Sequence, residues 1–76
     1  MSYVFGAVRY CENKSFWRFL ASETNNPVTD KETAAVQLRM LCGIKSRSEL
    51  NTNQFARAAY IGLITRFNDF LRRERQ

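Results

Sequence analysis

From Asn53 to Arg75 nothing in the sequence breaks a helix: there is no proline, and Gly62 is the lone glycine. Ala56, Ala59, Leu63, Phe67, Phe70 and Leu71 recur at helical spacing as an apolar stripe, while Arg57, Thr65, Asp69 and Arg73 lie largely off it. At 1.5 Å per residue this run predicts a helix about 33 Å long. That is the width of a small domain. In a chain of 76 residues, the segments upstream must therefore pack along this rod.

Those segments carry their own helix punctuation. Thr29-Asp30-Lys31-Glu32 has the pattern of a capping box, with a hydroxyl at the helix start and a Glu three residues on. It predicts a helix over about residues 30–42. Ala34, Ala35, Leu38, Leu41 and Cys42 face inward, and Gly43 stands where a left-handed residue ends a helix. Ser46-Arg47-Ser48-Glu49 repeats the capping pattern and opens a short helical turn through Leu50, which Asn51-Thr52-Asn53 interrupts. Nearer the start, Ser15 reads as the N-cap of a short helix that turns Phe16, Phe19 and Leu20 inward and ends at Thr24-Asn25-Asn26-Pro27.

The stretch Tyr3-Val4-Phe5-Gly6-Ala7-Val8-Arg9-Tyr10 is rich in β-formers and is open to a strand reading. No second strand candidate exists to pair with it, so elimination favours a helix with Val4, Val8 and Cys11 on one stripe. The expectation is a single domain over residues 1–76, all-α, a compact bundle of four to five helices with a long C-terminal helix. A domain this small buries only about 60% of its unfolded surface and needs large side chains to fill its core. Phe5, Phe16, Phe19, Phe55, Phe67 and Phe70 are expected to supply them.

Catalysis finds little to work with. The chain has no histidine, which removes the commonest general base and the commonest metal ligand together. Cys11 and Cys42 are far apart in sequence among apolar neighbours and read as buried free thiols, which suits a reducing compartment. Asp30, Glu32 and Glu49 are used at helix starts, and Gly6, Gly43 and Gly62 form no phosphate-cradling loop. The expectation is no catalytic residues, no metal and no cofactor. No apolar run approaches the roughly 18 residues needed to span a bilayer, and no secretory leader is recognisable, so the expected compartment is the cytoplasm.

What remains is binding. The net charge of +5 and pI near 9.8 favour polyanions, and most of the excess lies in residues 53–76. The segment from Gln37 to Leu50 has the parts of a helix-turn-helix, yet aligning Gly43 with the turn places Arg39 where a small residue packs and Glu49 where an apolar residue is buried. Both are wrong by type. Two weaker candidates survive. Lys45, Ser46, Arg47 and Ser48 stand at a helix start, where amides, hydroxyls and cations hold phosphate, against the alternative of a cap with solvated cations. Arg66, Arg72, Arg73 and Arg75 crowd the end of the long helix, where they contact phosphates or simply oppose the negative helix terminus, and Arg57 near its start is a further phosphate candidate. Trp17 and Tyr60 are candidate protein-interface anchors, with partial burial the competing reading for Trp17.

The stretch Leu41-Cys42-Gly43-Ile44-Lys45-Ser46-Arg47-Ser48-Glu49-Leu50-Asn51-Thr52-Asn53, followed by Phe67-Asn68-Asp69-Phe70-Leu71, resembles small accessory proteins encoded by bacteriophages and prophages. The likeness brings no functional residues with it. It implies a host-directed role in a bacterial cytoplasm, in DNA metabolism or in blocking a defence system. Three functions are therefore expected, in this order. The first is a non-enzymatic nucleic-acid-binding protein contacting the phosphate backbone through Lys45, Ser46, Arg47, Arg57, Arg66, Arg72 and Arg73. The second is an inhibitor that binds a nucleic-acid-handling host protein, such as a nuclease or CRISPR-type complex. The third is a homo-oligomeric structural or regulatory module, for instance a homodimer, in which Phe55, Ile61 or Ile64 meets a second copy.

Overall fold

A computed structural model describes residues 3–74, and every regular element in them is helical. Helix α1 spans Tyr3–Cys11, α2 Lys14–Thr24, α3 Lys31–Cys42 and α4 Gln54–Glu74, with a 3-10 turn at Arg47–Asn51 leading into α4. Arg75, assigned above to the long helix, lies outside the described residues.

Helix α4 runs most of the 37 Å length of the molecule, since its 21 residues rise about 32 Å. Side-chain pairs fix the direction of its neighbours. Tyr3 meets Tyr60 and Tyr10 meets Phe67, so α1 runs parallel to α4. Arg18 reaches Glu74 while Glu23 reaches Arg66, so α2 runs antiparallel. Phe16 and Phe67 pack edge to face at 5.0 Å, with Phe19 against both, and this aromatic centre is closed by buried Leu20, Leu38, Leu50 and Leu63. Such aromatic pairs add about 0.5–1.5 kcal/mol beyond area burial, which matters in so small a core.

Several boundaries differ from the sequence reading. At α3 the N-cap is Asp30, whose carboxylate accepts from the Thr33 amide at 2.8 Å, while Thr33 Oγ1 accepts from the Asp30 amide at 3.1 Å. The box is shifted one residue from Thr29 and Glu32 because Asp caps better than Thr. At α2 the cap is Asn13, which accepts from the amides of Ser15 and Phe16 at 2.8 and 3.3 Å. Ser15 is thereby inside the helix, and only the two-residue turn Glu12-Asn13 separates α1 from α2. The box at Ser46 and Glu49 is as expected. Gly43, at φ 70°, ends α3, with the Ile44 amide donating to Arg39 O at 3.0 Å.

The aromatic assignment needs the larger correction. Phe5 and Phe55 are 64% and 80% exposed. On α1 the inward positions are Ala7 and Cys11, with Val4 and Val8 half-buried. Phe5 lies about 200° round the helix from Ala7 at 3.6 residues per turn, so it points away. On α4 the buried positions are Ala56, Tyr60, Leu63 and Phe67, leaving Ala59 half-buried and Phe55, one residue before Ala56, turned outward.

Candidate functional site

The turn from Lys45 to Glu49 was the strongest phosphate candidate in the sequence, and its amides are already engaged. The Lys45 and Ser46 amides donate to Glu49 Oε2 at 2.8 and 2.9 Å, and the Ser48 amide donates to Ser46 Oγ at 3.3 Å. The chain's own carboxylate sits where a phosphate oxygen would. Beyond the turn there is a five-residue 3-10 segment, too short to lie in a groove of DNA as a recognition helix.

The cations are similarly occupied. Arg66 pairs with Glu23 at 3.1 Å, Arg18 with Glu74 at 2.9 Å, and Arg72 with Asp69. Arg57 lies over the Tyr3 ring at 5.5 Å from its centroid. Arg47 is half-buried in a groove between α1 and α3, beside Cys11. The exposed ion pairs add at most about 1 kcal/mol to stability, but each lowers the charge available to a phosphate, whereas Arg57 over a ring keeps its charge. Of the seven residues proposed for backbone contact, Lys45 and Arg73 are exposed and form no ion pair among the described residues, and Ser46 is engaged in the cap.

Both thiols are free and buried. Burial pushes Cys11 and Cys42 up from the ordinary thiol value, against the smaller opposing pull of Arg47 on Cys11 and Arg66 on Cys42. Neither is thereby prepared as a thiolate nucleophile. No group of three or more Cys, Asp or Glu side chains converges among the described residues, and no described helix is long and apolar enough to cross a membrane.

A different surface stands out. Between the parallel helices α1 and α4 lies a groove of about 480 Å³, lined by Tyr3, Gly6, Tyr10, Tyr60, Ile61 and Ile64, with Thr65 at its edge. All three tyrosines of the chain converge there, with ring centroids 6.3 Å apart for Tyr3 and Tyr60 and 6.4 Å for Tyr10 and Tyr60. No hydroxyl of the three has a hydrogen-bond partner among the described residues. Tyr60 is only 6% exposed and its phenol is pushed up to about 12, chiefly by burial. Thr65 is satisfied internally, its Oγ1 donating to Ile61 O at 3.0 Å.

Of the two expected interface anchors, Tyr60 is thus a core residue whose hydroxyl faces the groove. Trp17 is half-buried, and its indole N–H donates to Cys11 O at 2.7 Å, so its edge is held against the end of α1. Sequence reasoning missed Tyr3, Gly6 and Tyr10, although their i, i+3, i+7 spacing marks one helix face once the segment is taken as helical. No protein-family model, no curated protein and no solved structure matches the chain.

Proposed function

We propose that this protein is a non-enzymatic module that works by binding another protein. The observation that carries the reading is the apolar surface left outside: Phe55 at 80% exposure, Met40 at 66%, Phe5 at 64% and Ile61 at 51%, in a chain whose core is small. Of these, Ile61 lines the apolar groove between α1 and α4, and an exposed apolar side chain at the rim of such a groove is the mark of an interaction surface. Phe5 and Phe55 stand on the first turns of two helices that run side by side in one direction, so both emerge at the same end of the bundle.

The nucleic-acid reading takes second place. It is supported by the net charge of +5 and by Lys45, Arg57 and Arg73, and it loses ground because the helix-start amides are engaged and Arg66 and Arg72 are paired with carboxylates. The likeness to phage accessory proteins points to a bacterial partner, with a nucleic-acid-handling host protein the natural target for a basic inhibitor.

Affinity capture from nuclease-treated bacterial lysate tests the choice. Retention of a stoichiometric protein supports protein binding. Recovery of nucleic acid alone from untreated lysate, with nothing left after nuclease, establishes the second reading instead.

A further inference from the structure

The groove between α1 and α4 has features that say what enters it. Its lining contains no charged residue, and the cation Arg57 is held over the ring of Tyr3, which lines the groove. Its floor carries the hydroxyl of Tyr60, a core residue whose ring packs against Tyr3 and Tyr10 and whose hydroxyl makes no hydrogen bond among the described residues. That hydroxyl opens onto the groove as a donor, which an incoming hydrogen-bond acceptor would meet. Gly6 keeps that hydroxyl uncovered, since a Cβ there would stand 3.2 Å from Tyr60 Oη.

The ring faces are not on offer. Arg57 lies over Tyr3, and Tyr10 is wedged among Phe16, Tyr60 and Phe67. Base stacking needs a free aromatic face, so an unpaired nucleobase is a poor fit. What the groove presents is apolar walls from Ile61 and Ile64, phenol edges and a cation, the counterpart of an apolar side chain flanked by carboxylates. A second copy of this chain is disfavoured by charge, because each copy carries +5.

Building on the protein-binding reading above, we infer that the α1–α4 groove is a docking site for an acidic amphipathic segment of a partner protein. An apolar side chain of that segment enters between Tyr10 and Ile61, a main-chain or carboxylate oxygen accepts from the Tyr60 hydroxyl, and an acidic side chain meets Arg57. This is the helix-in-groove mode of recognition, with charge setting partner choice and apolar anchors supplying affinity.

A random-peptide display library selected on the folded protein tests this, with amide resonances mapping the binding site of the enriched peptides. Enriched sequences are expected to combine Phe or Leu with Asp or Glu, and to shift Tyr3, Gly6, Ile61 and Ile64. Ile61→Glu, at a half-exposed position that tolerates polarity, is expected to weaken them by about tenfold or more with the helical spectrum unchanged. Thr65→Glu, on the groove edge, gives an independent second variant.

No enrichment, enrichment of neutral or basic peptides, shifts mapping elsewhere, or a solution mass of two chains that Ile61→Glu reduces to one would each overturn the proposal. Lysate capture by wild type and Ile61→Glu alike would overturn the groove while leaving protein binding intact. Capture by neither, with acidic peptides still seated in the groove, would do the reverse.

Discussion

Gly6 and Tyr60 face each other across the α1–α4 contact so closely that a Cβ on Gly6 would lie 3.2 Å from the Tyr60 hydroxyl oxygen. Ala at a helix interior is normally favoured over Gly by about 0.5–1 kcal/mol, a gain that this contact opposes. The two positions should therefore be coupled. Gly6→Ala is expected to be more favourable in a Tyr60→Phe background than in wild type by about 1 kcal/mol. Urea denaturation of the four chains in the cycle measures it, and additive effects would show that the hydroxyl is not what Gly6 accommodates.

The Tyr60 phenol is pushed from the ordinary 10.0 to about 12, so it holds its proton in the folded state where the unfolded chain has lost it. Its contribution to stability is complete below pH 10 and is lost as pH rises toward 12. Absorbance at 295 nm, taken as the difference between wild type and Tyr60→Phe, should show a transition near 12 while the fold persists. A difference transition near 10 in folded protein would mean that the phenol is solvated.

Glu49 caps the amides of Lys45 and Ser46. Glu49→Ala is expected to cost about 1 kcal/mol, as loss of an N-terminal cap does. It should also free those amides: added phosphate should move the Lys45 and Ser46 amide resonances in the variant and leave them still in wild type. Equal shifts in both proteins would restore this turn as a phosphate site.

The phenylalanines divide sharply. Phe67→Ala removes a nearly fully buried ring that touches Tyr10, Phe16 and Phe19, and should cost about 3–5 kcal/mol, a large part of the stability of a domain this size. Phe55→Ala, at 80% exposure, should stay within about 0.5 kcal/mol. Thermal melts of the two variants check the contrast. A large loss at Phe55 would place its ring against the bundle.

That division marks where the sequence stopped being legible. Strong local signals reported the elements well: the Ser46 to Glu49 box, Gly43 and the unbroken run into α4 all stand as read. Competing caps did not resolve, because Asn13 and Ser15, or Thr29 and Asp30, are near-equivalent acceptors until the chain chooses its turn. Composition misled at Phe5 and Phe55, since ring size argues for burial while helix phase decides it. The groove was hidden for a third reason: its two walls come from opposite ends of the chain, and the i, i+3, i+7 pattern of Tyr3, Gly6 and Tyr10 gains meaning only beside α4.

Quantitative capture from nuclease-treated lysate, comparing wild type with a Phe55→Asp/Ile61→Asp double variant of equal helicity, probes the protein-binding reading most directly. Both side chains are exposed, so the double variant should fold. A protein held in stoichiometric amount by wild type and lost from the double variant is the expected result. If wild type holds no protein once nucleic acid is digested, or if the double variant holds it equally well, the exposed apolar surface is not what this protein binds with.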